Sequence, residues 1–335
     1  MKLNMRRREF IAGIGSAAAL PLAAWPLAAR AQQPALPVVG FLSAQSAEAD
    51  YKNTTIPFLQ GLKEAGYIER QNVAVEYRYA ENRLDRLPAL AADLVSRRAT
   101  VIVASAITVA RAAKSATTTI PIVFLAGGDP VATGLVASLD RPGANLTGIT
   151  LLEGETVARR LQLLRELIPN AAQFGVLADP ASVNTQSGIA DLRAAAPPLG
   201  LQLVVVNAST DGDLEPAFAS FSQQRVGAIL VGTSTFLARR TEQLAALAAR
   251  HALPAMFAFR EHAVAGGLIS YGSSLGYGFH QLGIHTGRIL NGDKPADLPV
   301  RHVTKVELVI NLKTAKALGL TVPEPLLGTA DKVIE

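Results

Sequence analysis

The 335-residue chain contains no cysteine. That excludes disulfides, cysteine-ligated zinc, iron–sulfur clusters, a thiol nucleophile and a lipidated N-terminal cysteine. Histidine is scarce: His251, His262, His280, His285 and His302 form no i,i+4 pair and no His-Glu-x-x-His, so a metal site has no support. No Walker loop occurs, and the first strand runs into Ser43-Ala44-Gln45 instead of Gly-x-Gly-x-x-Gly. Nucleotide phosphate binding therefore has no carrier, and no cofactor is expected. Charge of one sign is also missing from the body of the chain. Of the formal net charge of +5, residues 1–31 hold +4, which leaves the other 304 residues nearly neutral. A nucleic-acid partner would need a basic face there, so none is expected.

What is present is apolar: 49% of residues are hydrophobic and 18% charged, enough to bury a large core. At about 300 residues single cores stop growing, so two lobes are expected. Residues 1–31 read as a cleaved export signal. Arg6-Arg7-Arg8-Glu9-Phe10-Ile11 precedes a weakly apolar stretch and Ala29-Arg30-Ala31, a small-x-small cleavage pattern. Arg7-Arg8-x-Phe10-Ile11 resembles a twin-arginine signal, which places the mature protein in the periplasm, beginning near Gln32.

From Val38 onward short β-branched runs alternate with amphipathic stretches, the pattern of parallel sheets with helices on both faces. Strands are expected at Val38–Leu42, Val73–Tyr79, Val101–Ala104, Pro121–Leu125 and Leu146–Leu151, with helices at Thr55–Ala65 and Leu87–Ser96 and an alanine-rich helix before Pro121. The succession then restarts with strands at Phe174–Ala178, Leu201–Val206, Val226–Val231 and Pro254–Ala258. Helices are expected between them, at Val157–Leu167, Ile189–Ala195, Leu214–Ser222 and Thr241–His251. A tail adds a strand from Leu268, a helix near Tyr277–Leu290 and a strand at Val306–Ile310. The chain thus reads as an α/β protein of two doubly wound parallel-sheet lobes joined by a hinge. The tail is expected to cross between the lobes again, at points the pattern alone does not fix; the division expected is 36–150 plus about 271–302 for lobe one and 151–270 plus about 303–335 for lobe two.

In open parallel sheets ligands bind beyond the carboxyl ends of the strands, beside helix N-termini. Those ends carry Ser43-Ala44-Gln45, Ser105 to Thr108 and Gly127-Gly128-Asp129-Pro130 in lobe one. Lobe two offers Asp179-Pro180 through Asn184, Thr233-Ser234-Thr235 and Arg260-Glu261. Such residues also cap helices whatever the function, but six polar ends from two lobes can face one cleft. Ser105 and Thr108 favour an anionic oxygen, while Asp129 and Glu261 suit ammonium or hydroxyl groups. The arginine pairs Arg97-Arg98, Arg159-Arg160 and Arg239-Arg240 read as solvated faces and helix ends. One enzyme signature remains: Gly272-Ser273-Ser274-Leu275-Gly276 fits Gly-x-Ser-x-Gly between a strand and a helix, with Asp293 or Asp297 and His302 as partners of a Ser274 nucleophile.

Several stretches together resemble a family of ABC-transporter substrate-binding proteins. They include Val39-Gly40-Phe41-Leu42-Ser43, Gly66-Tyr67-Ile68-Glu69-Arg70-Gln71-Asn72-Val73 and Leu139-Asp140-Arg141-Pro142-Gly143-Ala144-Asn145-Leu146-Thr147-Gly148. Ala265-Gly266-Gly267-Leu268-Ile269-Ser270-Tyr271-Gly272 belongs with them, and the likeness runs from about Pro37 to the C-terminus. The resemblance implies a type I periplasmic binding protein fold with three crossovers, no catalysis, and a small ligand between the lobes. It also implies a membrane permease and an ATPase as partners, peripheral docking to that permease, and a monomer. Some relatives bind aromatic amino acids. Carried over, Ser43, Gln45, Ser105, Thr108 and Asp129 form one wall, and Asp179, Asn184, Ser234, Arg260, Glu261 and Tyr271 the other. Where relatives often have Asp-Pro-Phe-Phe this chain has Thr233-Ser234-Thr235-Phe236, so a cleft-facing carboxylate is lost. A serine hydrolase built on Ser274, or a periplasmic sensor of the same fold, are the alternatives.

Overall fold

A computed structural model describes residues 36–151, 153–182 and 184–335. Residues 1–31, expected to form an export signal, lie outside them. Five strands come first: β1 (Val38–Ser43), β2 (Ala74–Tyr79), β3 (Val101–Ala104), β4 (Ile122–Ala126) and β5 (Leu146–Thr150). Five more follow: β6 (Gln173–Ala178), β7 (Gln202–Asn207), β8 (Ala228–Val231), β9 (Ala255–Phe257) and β10 (Ile269–Ser273). The tail adds β11 (Arg301–His302), β12 (Val306–Asn311) and β13 (Lys332–Ile334). They form two sheets, ordered β11-β5-β4-β3-β1-β2 and β13-β12-β10-β9-β8-β6-β7. The first is parallel throughout, and the second is parallel except where β12 runs antiparallel to β10.

Each sheet has a helix layer on both faces. Alanine, leucine and isoleucine positions from helices Leu87–Ser96 and Ile107–Ala116 meet one face of the first sheet. Phe58, Leu62, Phe279 and Leu282, from helices Ile56–Glu64 and Leu275–Leu290, meet the other. That second pair crosses very closely. A Cβ on Gly61 would lie 1.9 Å from the His280 carbonyl oxygen, and one on Gly283 2.1 Å from the Phe58 oxygen. No side chain larger than hydrogen fits at either place, and the crossing ties the C-terminal third of the chain back into the first lobe.

Tyr271–Ser273 hydrogen-bond within the second sheet, opposite β12. The segment that returns to the first lobe therefore begins at Ser274, three residues past the expected 271. Val303 still donates to the Thr150 carbonyl of β5 at 2.8 Å. The chain passes between the sheets after Thr150, after Ser273 and after Val303. β11, β13 and the short helices Thr235–Ala238, Arg260–Val264, Leu312–Ala317 and Glu324–Gly328 have no counterpart in the sequence reading, being too short to show a period.

Candidate functional site

In both sheets the strand order reverses direction beside the first strand of the lobe, between β1 and β3 and again between β6 and β8. Side chains beyond those strand ends have open space around them, because the following helices leave on opposite faces. At the first reversal Ser43 is buried, and its hydroxyl accepts from the Gln45 N–H at 3.1 Å and from the Ser105 hydroxyl at 3.2 Å. The fold thus brings Ser43, Gln45 and Ser105 together. Thr108 is exposed one residue into helix Ile107–Ala116. Asp129 is exposed too, and its Oδ1 accepts from Val131 N–H at 2.7 Å and Ala132 N–H at 3.1 Å, so the carboxylate shapes its own turn.

At the second reversal Asp179 is buried, and Oδ1 accepts from the Ala181 N–H at 3.0 Å and the Ser209 hydroxyl at 3.1 Å. Ser234 accepts from Leu237 N–H at 3.0 Å as the cap of its short helix. Arg260 leaves the cluster for Glu307 on β12, at 3.4 Å. Beside it, the Glu261 Oε2 is buried without a hydrogen bond, and desolvation pushes that carboxyl above the usual range. Tyr271 is half-buried opposite Leu308 of β12, at the edge of the apolar cluster that also holds Leu161 of helix Glu153–Leu167.

The lobes meet across the space between these ends. Asn184 donates from Nδ2 to the Gly127 carbonyl at 2.8 Å, and Thr150 holds the same loop by donating to the Gly128 carbonyl at 3.0 Å. Arg239 donates from Nη1 to the Asn82 carbonyl at 3.0 Å and from Nε to Thr235 O at 2.9 Å. The accepting turn has Glu81 at φ 52° and Asn82 at φ 61°, a left-handed pair that non-glycine residues seldom adopt. Ala258 and Phe259, just past β9, complete the bridge by packing into the apolar core of the first lobe.

Two arginines thus depart from the sequence reading. Arg239 is half-buried between the lobes, and burial together with the adjacent Arg240 charge lowers its pKa. Arg240 is taken up by Asp211 and by the Phe236 ring, 4.1 Å from its guanidinium carbon. Arg160 is only 4% exposed. Its position was legible: Val157, Leu161 and Leu164 mark the buried stripe of its helix, and Arg160 falls on it at helical spacing. No local signal marks Arg239, whose partner is 157 residues away. Arg160 lines a small cavity of about 50 Å³ at the β6–β8 reversal, between Leu177, Val231 and the helices Glu153–Leu167 and Thr185–Ala195.

Ser274 does not stand as an elbow nucleophile. It is buried, its backbone is extended at φ −69° and ψ 110°, and its hydroxyl accepts from Tyr277 N–H at 3.4 Å as a helix cap. Among the described residues no group of three or more metal-ligating side chains occurs, and no helix is long and apolar enough to cross a membrane.

The family of ABC transporter substrate-binding proteins, non-catalytic extracytoplasmic components of importers, matches residues 37–334. A structure of a conserved domain protein from Vibrio cholerae is 30% identical, with a TM-score of 0.80 over 89% of this chain and 99% of that one. An ABC domain from Streptococcus pneumoniae, solved in complex with L-Trp, is 25% identical, with a TM-score of 0.79 over 89% of this chain and 100% of that one. A tyrosine-binding protein of Clostridioides difficile is 27% identical over 267 residues, 78% of this chain and 75% of its own. With two doubly wound lobes facing each other across a bridged cleft, and a match that runs from its first strand to its last, this chain belongs to the ABC transporter substrate-binding protein family.

Proposed function

We propose that the protein captures a small carboxylate-bearing solute, of amino-acid size, between its lobes in the periplasm and delivers it, as a monomer, to a membrane permease driven by an ATPase. The observation that carries this reading is the pair of hydrogen bonds spanning the cleft, Asn184 to Gly127 and Arg239 to Asn82. Each joins a strand-end loop of one lobe to a strand-end loop of the other, so closure and capture are one event. In this reading Ser43, Gln45 and Ser105 face the solute from the first lobe, and Asp179, Asn184 and Arg239 from the second. Asp129, Thr108, Ser234 and Arg260, with their carboxylates, hydroxyls and guanidinium engaged locally or in solvent, shape the loops around it. The relatives that hold L-Trp and tyrosine support a carboxylate-bearing cargo. The Thr233-Ser234 sequence removes one second-lobe carboxylate that would receive an amino group and leaves Asp179.

Mass spectrometry of the gently purified protein should show one small molecule bound per chain, released on unfolding. Calorimetry on amino acids, aromatic acids and neutral sugars should then give micromolar binding of a carboxylate, about −8 kcal/mol. Tight binding of a neutral sugar with no carboxylate bound would overturn the reading.

The same proposal has the chain exported by a twin-arginine signal cut after Ala31. Replacing Arg7 and Arg8 together by lysine should abolish periplasmic accumulation. Trp25 is the sole tryptophan, so the periplasmic protein should emit as tyrosine only. Tryptophan emission from it would show that the leader is retained.

A further inference from the structure

The second and third passages between the lobes are fastened to each other where they meet the second sheet. Ser274 donates its N–H to the Lys305 carbonyl at 2.9 Å, and β10 and β12 pair beside that bond, with Gly272 opposite Glu307. Glu307 is only 8% exposed and takes Arg260 Nη1 and Lys305 Nζ, each at 3.4 Å. The segment after β9 lies over the same point, since a Cβ on Gly272 would stand 2.2 Å from the Ala258 carbonyl oxygen. Ala258 and Phe259 continue into the apolar core of the first lobe. Arg260 and Glu261 come next in the chain, so both sit where the two lobes are joined.

Both cations of this cluster go to Glu307, and Glu261 is left over. Its Oε2 is shut off from solvent, with no hydrogen-bond partner among the described residues. Burial raises its pKa; its own N–H and the Arg260 charge oppose the rise, and the Glu307 charge adds to it. Helix Arg260–Val264 packs on β9, β10, β12 and helix Thr241–Arg250. Besides Arg260 and Glu307, those elements bring His262 on its own helix, Tyr271 on β10, and Glu242 and Arg250 on the neighbouring helix; β9 brings no titratable group. A carboxylate shut off in such a place carries a desolvation cost that water would remove. Parting the lobes draws Ala258 and Phe259 out of the first core and admits water beside Glu261.

We propose that closing the lobes favours the protonated form of the Glu261 carboxyl and opening favours the carboxylate, so that closure, and capture with it, becomes easier as pH falls. The inference deepens the capture reading and rests on it for the movement of the lobes. The closed form holds the proton more firmly. Its advantage is therefore complete below the pKa of the open form and is lost as pH rises through that of the closed form. One proton changes the closed-to-open ratio by at most about tenfold per pH unit. His262, the next residue, is a buried ring and would act in the opposite sense if opening wets it. Two proteins that share His262 and differ at Glu261 separate the two effects.

The test is small-angle scattering on the mature protein, freed of solute by unfolding and refolding, for the wild type and Glu261→Gln at pH 8.0 and 5.5. Glutamine has nearly the shape of the protonated carboxyl and does not ionise. At pH 8.0 the wild type should have the larger radius of gyration, and at pH 5.5 the two should coincide. Thermal melts check folding. Equal radii at pH 8.0, or the same difference at both pH values, overturns the inference. If Glu261→Gln does not fold, Glu307→Gln decides. Removing that like charge frees Arg260 for Glu261, so the radius at pH 8.0 should fall below that of the wild type, and an unchanged radius overturns the inference. Mass spectrometry of the co-purifying solute tests the capture reading separately. A bound molecule keeps that reading when the radii fail, and a protein that holds none removes it whatever the radii show.

Discussion

Replacing Gly128 by valine is expected to hold the lobes apart while leaving each lobe folded. The three atoms nearest to a Cβ built on Gly128 all belong to Asn184, at 2.1, 2.4 and 2.5 Å. A branched side chain there displaces the Asn184 amide and removes its bond to the Gly127 carbonyl, a net loss of about 1 kcal/mol. Overpacking at the contact adds roughly 1–3 kcal/mol. The closed-to-open ratio should therefore fall about 30- to 700-fold, at 1.4 kcal/mol per factor of ten. Both contacting residues lie in loops past the strand ends, so the cores on either face of the two sheets are untouched and the melting temperature should hardly move. Small-angle scattering is the direct check. The variant should show a larger radius of gyration than the wild type, with a matching loss of ligand affinity. Superimposable scattering curves and equal affinities would mean that this loop contact does not govern closure.

Acidification is expected to cost several kcal/mol of folding stability between pH 7 and pH 4, through two histidines buried as neutral rings. His262 stacks on Phe257 with ring centroids 4.8 Å apart, and burial lowers its pKa to about 4. His285, in helix Leu275–Leu290, is also lowered to about 4, by burial and by the charges of Arg301 and Arg288. In the unfolded chain each would titrate near 6.5. Both contributions are thus complete above about pH 6.5 and are lost as pH falls toward 4, where the unfolded state takes protons the folded state refuses. At 1.36 kcal/mol per pH unit, each ring contributes at most about 3 kcal/mol to that loss. Glu261 acts in the opposite sense. Its folded pKa is raised by burial, so acid conditions relieve a cost that it imposes at neutral pH. Urea melts at pH 7.5, 6.0 and 4.5 should show stability falling with pH, and His285→Gln should shallow that fall. A stability that stays flat from pH 7.5 to 4.5 would show that neither ring is held neutral.

The residues alone determined the identity and extent of most elements. Leu87–Ser96 and Val101–Ala104 form over the residues read from the pattern, because helical period and β-branched runs are local signals that survive into the fold. They also placed Ser43, Ser105, Asp179 and Asn184 at strand ends, since a polar residue after an apolar run has few other places to go. Tertiary structure decided how those polar groups are tied together. Ser43, Asp129, Asp179 and Ser234 all accept hydrogen bonds from their own turns, but Ser43 and Asp179 are also joined to a second strand end, by the Ser105 and Ser209 hydroxyls. The burial of Arg160 was written in the period of its helix, but the cavity beside it needs the ends of β6 and β8 brought together. The reach of Arg239 to Asn82 and the antiparallel β12 left no trace in nearby residues. Each pairs segments more than thirty residues apart in sequence, where the choice of partner rests on packing shape and on which backbone groups remain unsatisfied, and neither quantity exists until the chain has folded.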